Sequence, residues 1–287
     1  DLPAARPERA RQDAPAHLET VEKASRMDCT LKRMSDWDAA RYHRVSDPQR
    51  AWGLRVLDRL APARAERILD IGCGTGRLTS EVSRRAPELF LVGLDRSSTM
   101  LSEARRHFAD RAHFVHADAA ALPLPEHFDA VFSTATFHWV SKHDRLFAEI
   151  HRVLRPGGRL VSQAGGGQNL ATLGRRSETI QREPEFASHF VNWTEPWVYA
   201  GVDETRSRLR TAGFVDIDVR LEPAPTSFAD EDTYREFVAC VCLRRQLALL
   251  PSEKHDLYLR PLLDLAAADD PPFTLDYWRL NIDARKR

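Results

Sequence analysis

The stretch Ile68-Leu69-Asp70-Ile71-Gly72-Cys73-Gly74-Thr75-Gly76 decides how this chain is read. A short apolar run closes on three glycines, and an amphipathic segment, Leu78–Arg85, follows at once, which predicts a strand, a turn and a helix. Glycines in such a turn let backbone N–H groups approach a ligand at the helix N-terminus. The spacing narrows the ligand. A dinucleotide fingerprint runs G-x-G-x-x-G, but counting from Gly72 the sixth position is Arg77. The third glycine comes one residue early, which argues against nicotinamide or flavin.

Outward from this turn, short apolar runs alternate with amphipathic helices, the pattern of a parallel sheet covered on both faces. Strands are predicted at Arg67–Ile71, Phe90–Leu94, His113–His116, Phe128–Ser133 and Arg159–Gln163, with helices at Leu78–Arg85, Ser98–Phe108 and Lys142–Leu154. Two further acids sit at strand ends, Asp95 after the second and Asp118 after the third. Open α/β sheets bind ligands in the crevice at the carboxyl ends of their strands, where a carboxylate can accept both hydroxyls of a ribose. One strand-end Asp is more often a helix cap, but three in succession behind a glycine turn favour a ligand site.

The remainder of the chain is less regular. Residues 1–33 are rich in Ala, Pro and charge, without the periodicity to bury a face, and are read as a loosely ordered extension. Asp47-Pro48 is a good helix start. A mostly helical stretch is predicted from Gly165-Gly166-Gly167 to about Trp197, carrying Phe190, Trp193, Trp197 and Tyr199, then a helix at Glu204–Ala212 and a strand at Phe214–Leu221. Two helices, Asp232–Leu250 and Glu253–Ala267, precede a last strand at Phe273–Ile282.

The 42 Lys and Arg balance the 42 Asp and Glu among 287 residues, so no charge excess draws the protein to nucleic acid or anionic membrane. No apolar run approaches the roughly 18 residues of a membrane helix. Cys29, Cys73, Cys240 and Cys242 have no C-x-x-C spacing, which disfavours a zinc or disulfide framework and makes a reducing, cytoplasmic setting the expectation. No metal site is expected, and the protein is expected to be a monomer or homodimer.

In order along the chain, LDIGCGTG, LVGLDRSSTML, HADAAALPLPEHFDAVFSTATFHWV and EIHRVLRPGGRLV resemble the class I S-adenosylmethionine-dependent methyltransferases. The resemblance covers roughly residues 34–285. It implies a Rossmann-like α/β fold: a seven-stranded sheet of order 3-2-1-4-5-7-6, last strand antiparallel, flanked by helices, with a helical lid from about 34–60, 165–200 and 230–270. It also implies S-adenosylmethionine as cofactor and S-adenosylhomocysteine as product. Carried over by position, Asp70, Gly72, Gly74 and Gly76 would hold the methionyl end and Asp95, with Arg96 beside it, the ribose. Asp118 and the amide of Ala119 would read the adenine, and the carbonyl of Thr134 would lie near the cofactor's amino group. Cys73, inside the turn, is read as structural.

Methyl transfer from a sulfonium is an in-line displacement that demands alignment and exclusion of water. A general base is needed for a hydroxyl or amine acceptor and unnecessary for a carboxylate. After the fourth strand the chain reads Ser133-Thr134-Ala135-Thr136, not the Asn/Asp-Pro-Pro-aromatic signature of enzymes that methylate nucleic-acid or glutamine nitrogens. Phe137-His138-Trp139 and the segment from Trp37 to Gln49 are similar instead to the branch holding trans-aconitate methyltransferase and juvenile hormone acid methyltransferase. That likeness implies esterification of a small carboxylic acid. Gln49 and the Trp139 indole would be neutral donors to the carboxylate, and Tyr42 would close over the cofactor. His138 is the competing candidate: as a general base it would imply a hydroxyl, phenol or amine acceptor. Adjacent residues on a turn usually diverge, so Trp139 is expected to face inward and His138 away. A carrier-bound malonyl acceptor and a cofactor-binding protein without catalysis are the remaining alternatives. Arg175 and Arg176 are read as solvated or as meeting a second carboxylate.

Overall fold

The computed structural model describes residues 47–86 and 88–287, with side chains from Ala51 onward. The N-terminal extension, its boundary at Met34, the lid residues before Asp47, Tyr42 and the side chain of Gln49 lie outside the described residues.

Helix α1 (Asp47–Leu60) leads into β1 (Arg67–Ile71), α2 (Arg77–Arg85), β2 (Phe90–Asp95), α3 (Ser98–Phe108), β3 (His113–His116) and β4 (Phe128–Thr134). Then come α4 (His143–Val153), β5 (Leu154–Gly165), α5 (Ala171–Gln181), α6 (Val202–Thr211) and β6 (Phe214–Pro223). A short ribbon of β7 (Thr226–Ser227) with β8 (Thr274–Leu275) brackets α7 (Glu231–Phe237), α8 (Arg244–Leu247) and α9 (His255–Ala267), and β9 (Trp278–Lys286) ends the chain. The main sheet has seven strands in the order β3-β2-β1-β4-β5-β9-β6, with β9 antiparallel to both neighbours. This is the expected topology.

Alternation in the strands produces the layers. Leu69, Ile71, Val92, Leu94, Val131 and Leu160 face one core with Leu146, Phe147, Ile150 and Val153 of α4. Ile68, Leu91, Ala130, Phe132 and Val161 face the other, against Val56, Leu57 and Leu60 of α1. A third cluster joins Leu173 and Ile180 of α5 to Tyr234, Phe237, Tyr258 and Leu262 of α7 and α9, with Trp52 and Tyr277 at its border. That cluster makes the helical cap.

Three expectations are corrected. The helical stretch 165–197 is helical over Ala171–Gln181 with one 3-10 turn at Ala187–His189; Pro184 and Pro196 lack the N–H a longer helix requires. The helix expected at 232–250 is interrupted by a π-turn, Val238–Cys242, in which Leu243 N–H donates to Val238 O at 2.8 Å. The last strand begins at Trp278, because Asp276 turns aside to accept from Leu170 N–H and Thr172 N–H and so fixes the start of α5.

Candidate active site

The carboxyl ends of β1 to β4 open on a cavity of about 990 Å³, at the upper end of the ~300–1,000 Å³ usual for small-ligand sites. Of the expected site residues, Gly72, Gly74, Asp95, Arg96, Asp118, Ala119, Thr134, His138 and Trp139 line it. Asp70 and Gly76 do not line it.

The turn after β1 is held by Leu94 O, which accepts from Gly72 N–H at 2.7 Å and Cys73 N–H at 3.0 Å. Gly72, Gly74 and Gly76 all have positive φ, of 76°, 54° and 78°. A Cβ on Gly72 would come within 2.0 Å of Thr136 Oγ1, whereas one on Gly74 would meet nothing within 4 Å. The open space in front of Gly74 is where a ligand can touch backbone, so the residues present fit the expected cofactor. Asp95 stands behind that space, accepting from Gly74 N–H at 2.9 Å and Ser97 N–H at 2.8 Å. Burial pushes its carboxyl up despite these bonds. Asp118 Oδ1 accepts from Ala120 N–H at 2.8 Å, a local turn that fixes its side chain at the wall. The Thr134 carbonyl accepts from Thr136 Oγ1 at 2.9 Å and lines the cavity.

Asp70 is 2% exposed and accepts from Thr79 Oγ1 at 2.6 Å. Burial, with Asp95 adding its charge, pushes its carboxyl up to about 7. It braces the first turn of α2 from below. Cys73 is a buried free thiol pushed up by burial.

Beyond the glycine turn the wall changes character. Phe137–Trp139 forms a 3-10 turn that buries Phe137 in the core and brings both His138 and Trp139 to the cavity. The expectation that only one of them faces it fails because successive residues of such a turn lie about 120° apart, so two can share an open side. His138 Nδ1 accepts from Gly165 N–H at 3.3 Å, which leaves the proton of the neutral ring on Nε2. Burial, then the charge of Arg279, pushes His138 down to about 3. It is a neutral donor and a poor base. Trp139 packs edge-on against Trp197 at 5.7 Å, and Arg245 lies over its ring at 5.6 Å.

Arg245, Arg279, Asn169 and Tyr277 complete this end. Local spacing in the sequence did not find them; the available signal was an arginine inside an otherwise buried strand, Trp278-Arg279-Leu280-Asn281-Ile282. Of the four lid aromatics, Trp197 and Tyr199 line the first cavity, and all four line a second one of about 730 Å³ on its far side. Arg176 makes a paired contact with Asp269 at 2.6 and 2.7 Å, and Arg175 is exposed beside Thr172. Neither lines either cavity.

Residues 69–162 match the family model described as a methyltransferase domain. A trans-aconitate 2-methyltransferase of Methylobacterium nodulans is 34% identical over 192 residues, covering 67% of this chain and 69% of that protein. The chain belongs to the class I S-adenosylmethionine-dependent methyltransferases, in the trans-aconitate methyltransferase branch. A second such methyltransferase, from Paracidovorax citrulli, is 32% identical over 196 residues, 68% of this chain and 70% of that one. One from Acidovorax ebreus is 37% identical, but over half of its length and 45% of this chain. Among solved structures, the YcgJ protein from Bacillus subtilis aligns with a TM-score of 0.58 at 18% identity, over 83% of this chain and 99% of that one. A Haemonchus contortus phosphoethanolamine N-methyltransferase in complex with S-adenosylhomocysteine aligns at 0.55 and 20% identity, over 86% and 57%. These structures share the methyltransferase fold. The protein is an S-adenosylmethionine-dependent methyltransferase.

Proposed function

We propose that this methyltransferase esterifies the carboxylate of a small organic acid. The observation that carries the reading is the state of His138: with Nδ1 taken by Gly165 N–H and the ring held neutral, this cavity-lining imidazole is a poor acceptor of a proton. The other titratable groups at this end are no better placed. Burial pushes the Tyr199 and Tyr277 hydroxyls up and the Cys242 thiol up to about 12. An acceptor that reacts here must arrive ionised, and a carboxylate does.

Charge supports the same reading. Arg96, Lys142, Arg145, Arg244, Arg245 and Arg279 line the cavity, and among the described residues its carboxylates are Asp95 and Asp118, both on the side assigned to the cofactor. The name carried by the relatives, trans-aconitate 2-methyltransferase, agrees with an acid as acceptor. S-adenosylmethionine, when bound, would supply a methyl group on a sulfonium, and its in-line transfer to the carboxylate oxygen would leave the electron pair of the broken C–S bond on sulfur. No proton moves. His138 Nε2–H donates to a carboxylate oxygen without taking its charge, Trp139 and Trp197 exclude water, and Asp95, Asp118 and the turn amides hold the cofactor's nucleoside and methionyl ends.

The test is transfer of labelled methyl to a panel of acids, trans-aconitate and hexanoate among them, with phenols and amines alongside, for the native enzyme and His138→Asn. Asparagine can accept from Gly165 N–H and donate into the cavity as the neutral imidazole does. Base-labile methyl esters are expected, with kcat/KM for the best acid within about tenfold in the variant and a rate independent of pH from 6 to 9. Transfer confined to phenols or amines, and reduced about 10²- to 10⁴-fold in the variant as loss of a general base demands, would overturn the reading.

A further inference from the structure

The second cavity, of about 730 Å³, has the size of a small-ligand site. It shares a wall with the first, made by Asn169, Leu170, Trp197, Tyr199 and Cys242. Local structure sets that wall beside the place of transfer. Val198 N–H donates to His138 O at 2.8 Å, which ties the coil before α6 to the 3-10 turn. Trp197 and Tyr199, on either side of Val198, stack with ring centres 6.1 Å apart, and the Tyr199 ring lies 5.8 Å from that of His138. A single aromatic side chain thus stands between the proposed carboxylate donor and the second cavity.

Beyond that wall the lining is apolar inside and charged only at its edge. Leu173 of α5, Phe190 and Leu243 are buried members of the cap cluster that also line the cavity. Two amides of the lining are engaged elsewhere: Asn169 Oδ1 accepts from Trp278 N–H at 2.9 Å, and Gln181 Nε2 donates to Ser177 Oγ at 3.0 Å and Tyr258 OH at 3.2 Å. Among the described residues the charged groups of the lining are Glu178, Arg182 and Glu195, all exposed, and Arg182 donates to Glu178. Two carboxylates against one cation, itself held by one of them, offer an anion nothing. An ionised group entering such a space loses its hydration without compensation, whereas an apolar chain gains with every methylene it buries.

We propose that the second cavity holds the tail of the acceptor. The inference rests on the carboxyl esterification proposed above and names its substrate class: a monocarboxylic acid whose uncharged, apolar chain leaves the carboxylate at His138, passes the Trp197–Tyr199 stack and lies against Leu173, Phe190 and Leu243. The first cavity then recognises charge and the second recognises length. An acid with further carboxylates meets no counter-charge beyond the wall.

The test is a chain-length series on the native enzyme, from butyrate to decanoate, with octanedioate and trans-aconitate alongside, read as kcat/KM for methyl transfer. It is repeated with Leu173→Phe, and calorimetry with S-adenosylhomocysteine checks that the variant is folded. Each methylene that enters the cavity should raise kcat/KM about fourfold, the scale of burying one CH₂. Octanoate should exceed octanedioate roughly tenfold or more, and trans-aconitate should fall below octanoate. Leu173→Phe intrudes on the space and should lower the ratio of decanoate to butyrate by about tenfold or more. Should that variant lose the cofactor, fluorescence decides. Trp193 lines the second cavity and not the first, so decanoate brominated at its far end must quench it, and quenching that is unchanged in Trp193→Phe overturns the proposal. So does kcat/KM that is flat or falling with length, a preference for octanedioate or trans-aconitate over octanoate, or an unchanged ratio in folded Leu173→Phe. Acids esterified with no gain from length would remove the tail pocket and leave the carboxyl reading standing. A gain from length on alkylphenols or alkylamines alone would do the reverse.

Discussion

At the cofactor end of the cavity the decisive groups are backbone: the positive-φ glycines after β1, the amides they expose, and two strand-end carboxylates that themselves accept from backbone N–H groups. At the acceptor end they are side chains, contributed by α1, the 3-10 turn after β4, the coil before α6, the π-turn and β9. The first end carries the cavity's two carboxylates among the described residues, and the second is cationic and aromatic. A single cavity thus separates a backbone geometry, which a turn can fix within nine residues, from a set of side chains that only the assembled fold can bring together.

The sharpest way to break this contrast is at Gly72. Its φ is +76°, and a Cβ would lie 2.0 to 2.6 Å from three atoms of the Thr136 side chain. Gly72→Ala should therefore cost about 4 kcal/mol or more, strain and overlap together, and weaken cofactor binding at least 10²-fold. Thermal unfolding and calorimetry with S-adenosylhomocysteine measure the two. A variant that folds and binds as the native protein does would show that this turn is not built on backbone geometry.

The same contrast explains what could be read before the structure. The glycine turn and the strand-end positions of Asp95 and Asp118 were legible because each follows from residues adjacent in sequence to a predicted strand, whereas the sheet order and the place of Thr134 were implied by the family resemblance. Arg279 and Trp52 were not, since they are 227 positions apart and meet only because α1 crosses the polar face of β9. The pairing of His138 with Gly165 was equally hidden: the acceptor is on the turn after β4, the donor at the end of β5, and their contact inverts the role His138 would be given by residue type. The π-turn that places Val241 and Cys242 at the wall has no periodic signature distinct from a helix.

A smaller effect sharpens the electrostatic side. Asp70 is buried under the turn, its carboxyl pushed up from an ordinary value of 3.8 to about 7. Between those values the folded state binds more protons than the unfolded chain, so stability falls as pH rises through the window, and the penalty is complete above it. The scale is about 4 kcal/mol over the whole window, about 3 kcal/mol of it above pH 5. Asp70→Asn keeps an acceptor for Thr79 Oγ1 and cannot ionise. In the unliganded protein the native unfolding midpoint should fall from pH 5 to pH 8, and the variant should remove most of that dependence. Parallel curves for the two would mean that the carboxylate is not held in the state described.

The smallest effect compares glycine with glycine. Gly174 lies within α5, at the edge of the second cavity, and a Cβ there would meet nothing within 4 Å. Its backbone is helical, so the left-handed freedom that Gly72 requires has no use here, and the residue costs the helix conformational entropy. Gly174→Ala should raise stability by about 0.5–1 kcal/mol, read as a rise of a few degrees in Tm, with cofactor affinity and KM for the acid unchanged. The two substitutions are chemically identical, one methyl group each, and their opposite signs would follow from φ and from what the methyl meets. If Gly174→Ala destabilised the protein, the wall of α5 beside the cap would be a place where close approach matters, and the division between a backbone-built cofactor end and a side-chain-built acceptor end would have to be redrawn.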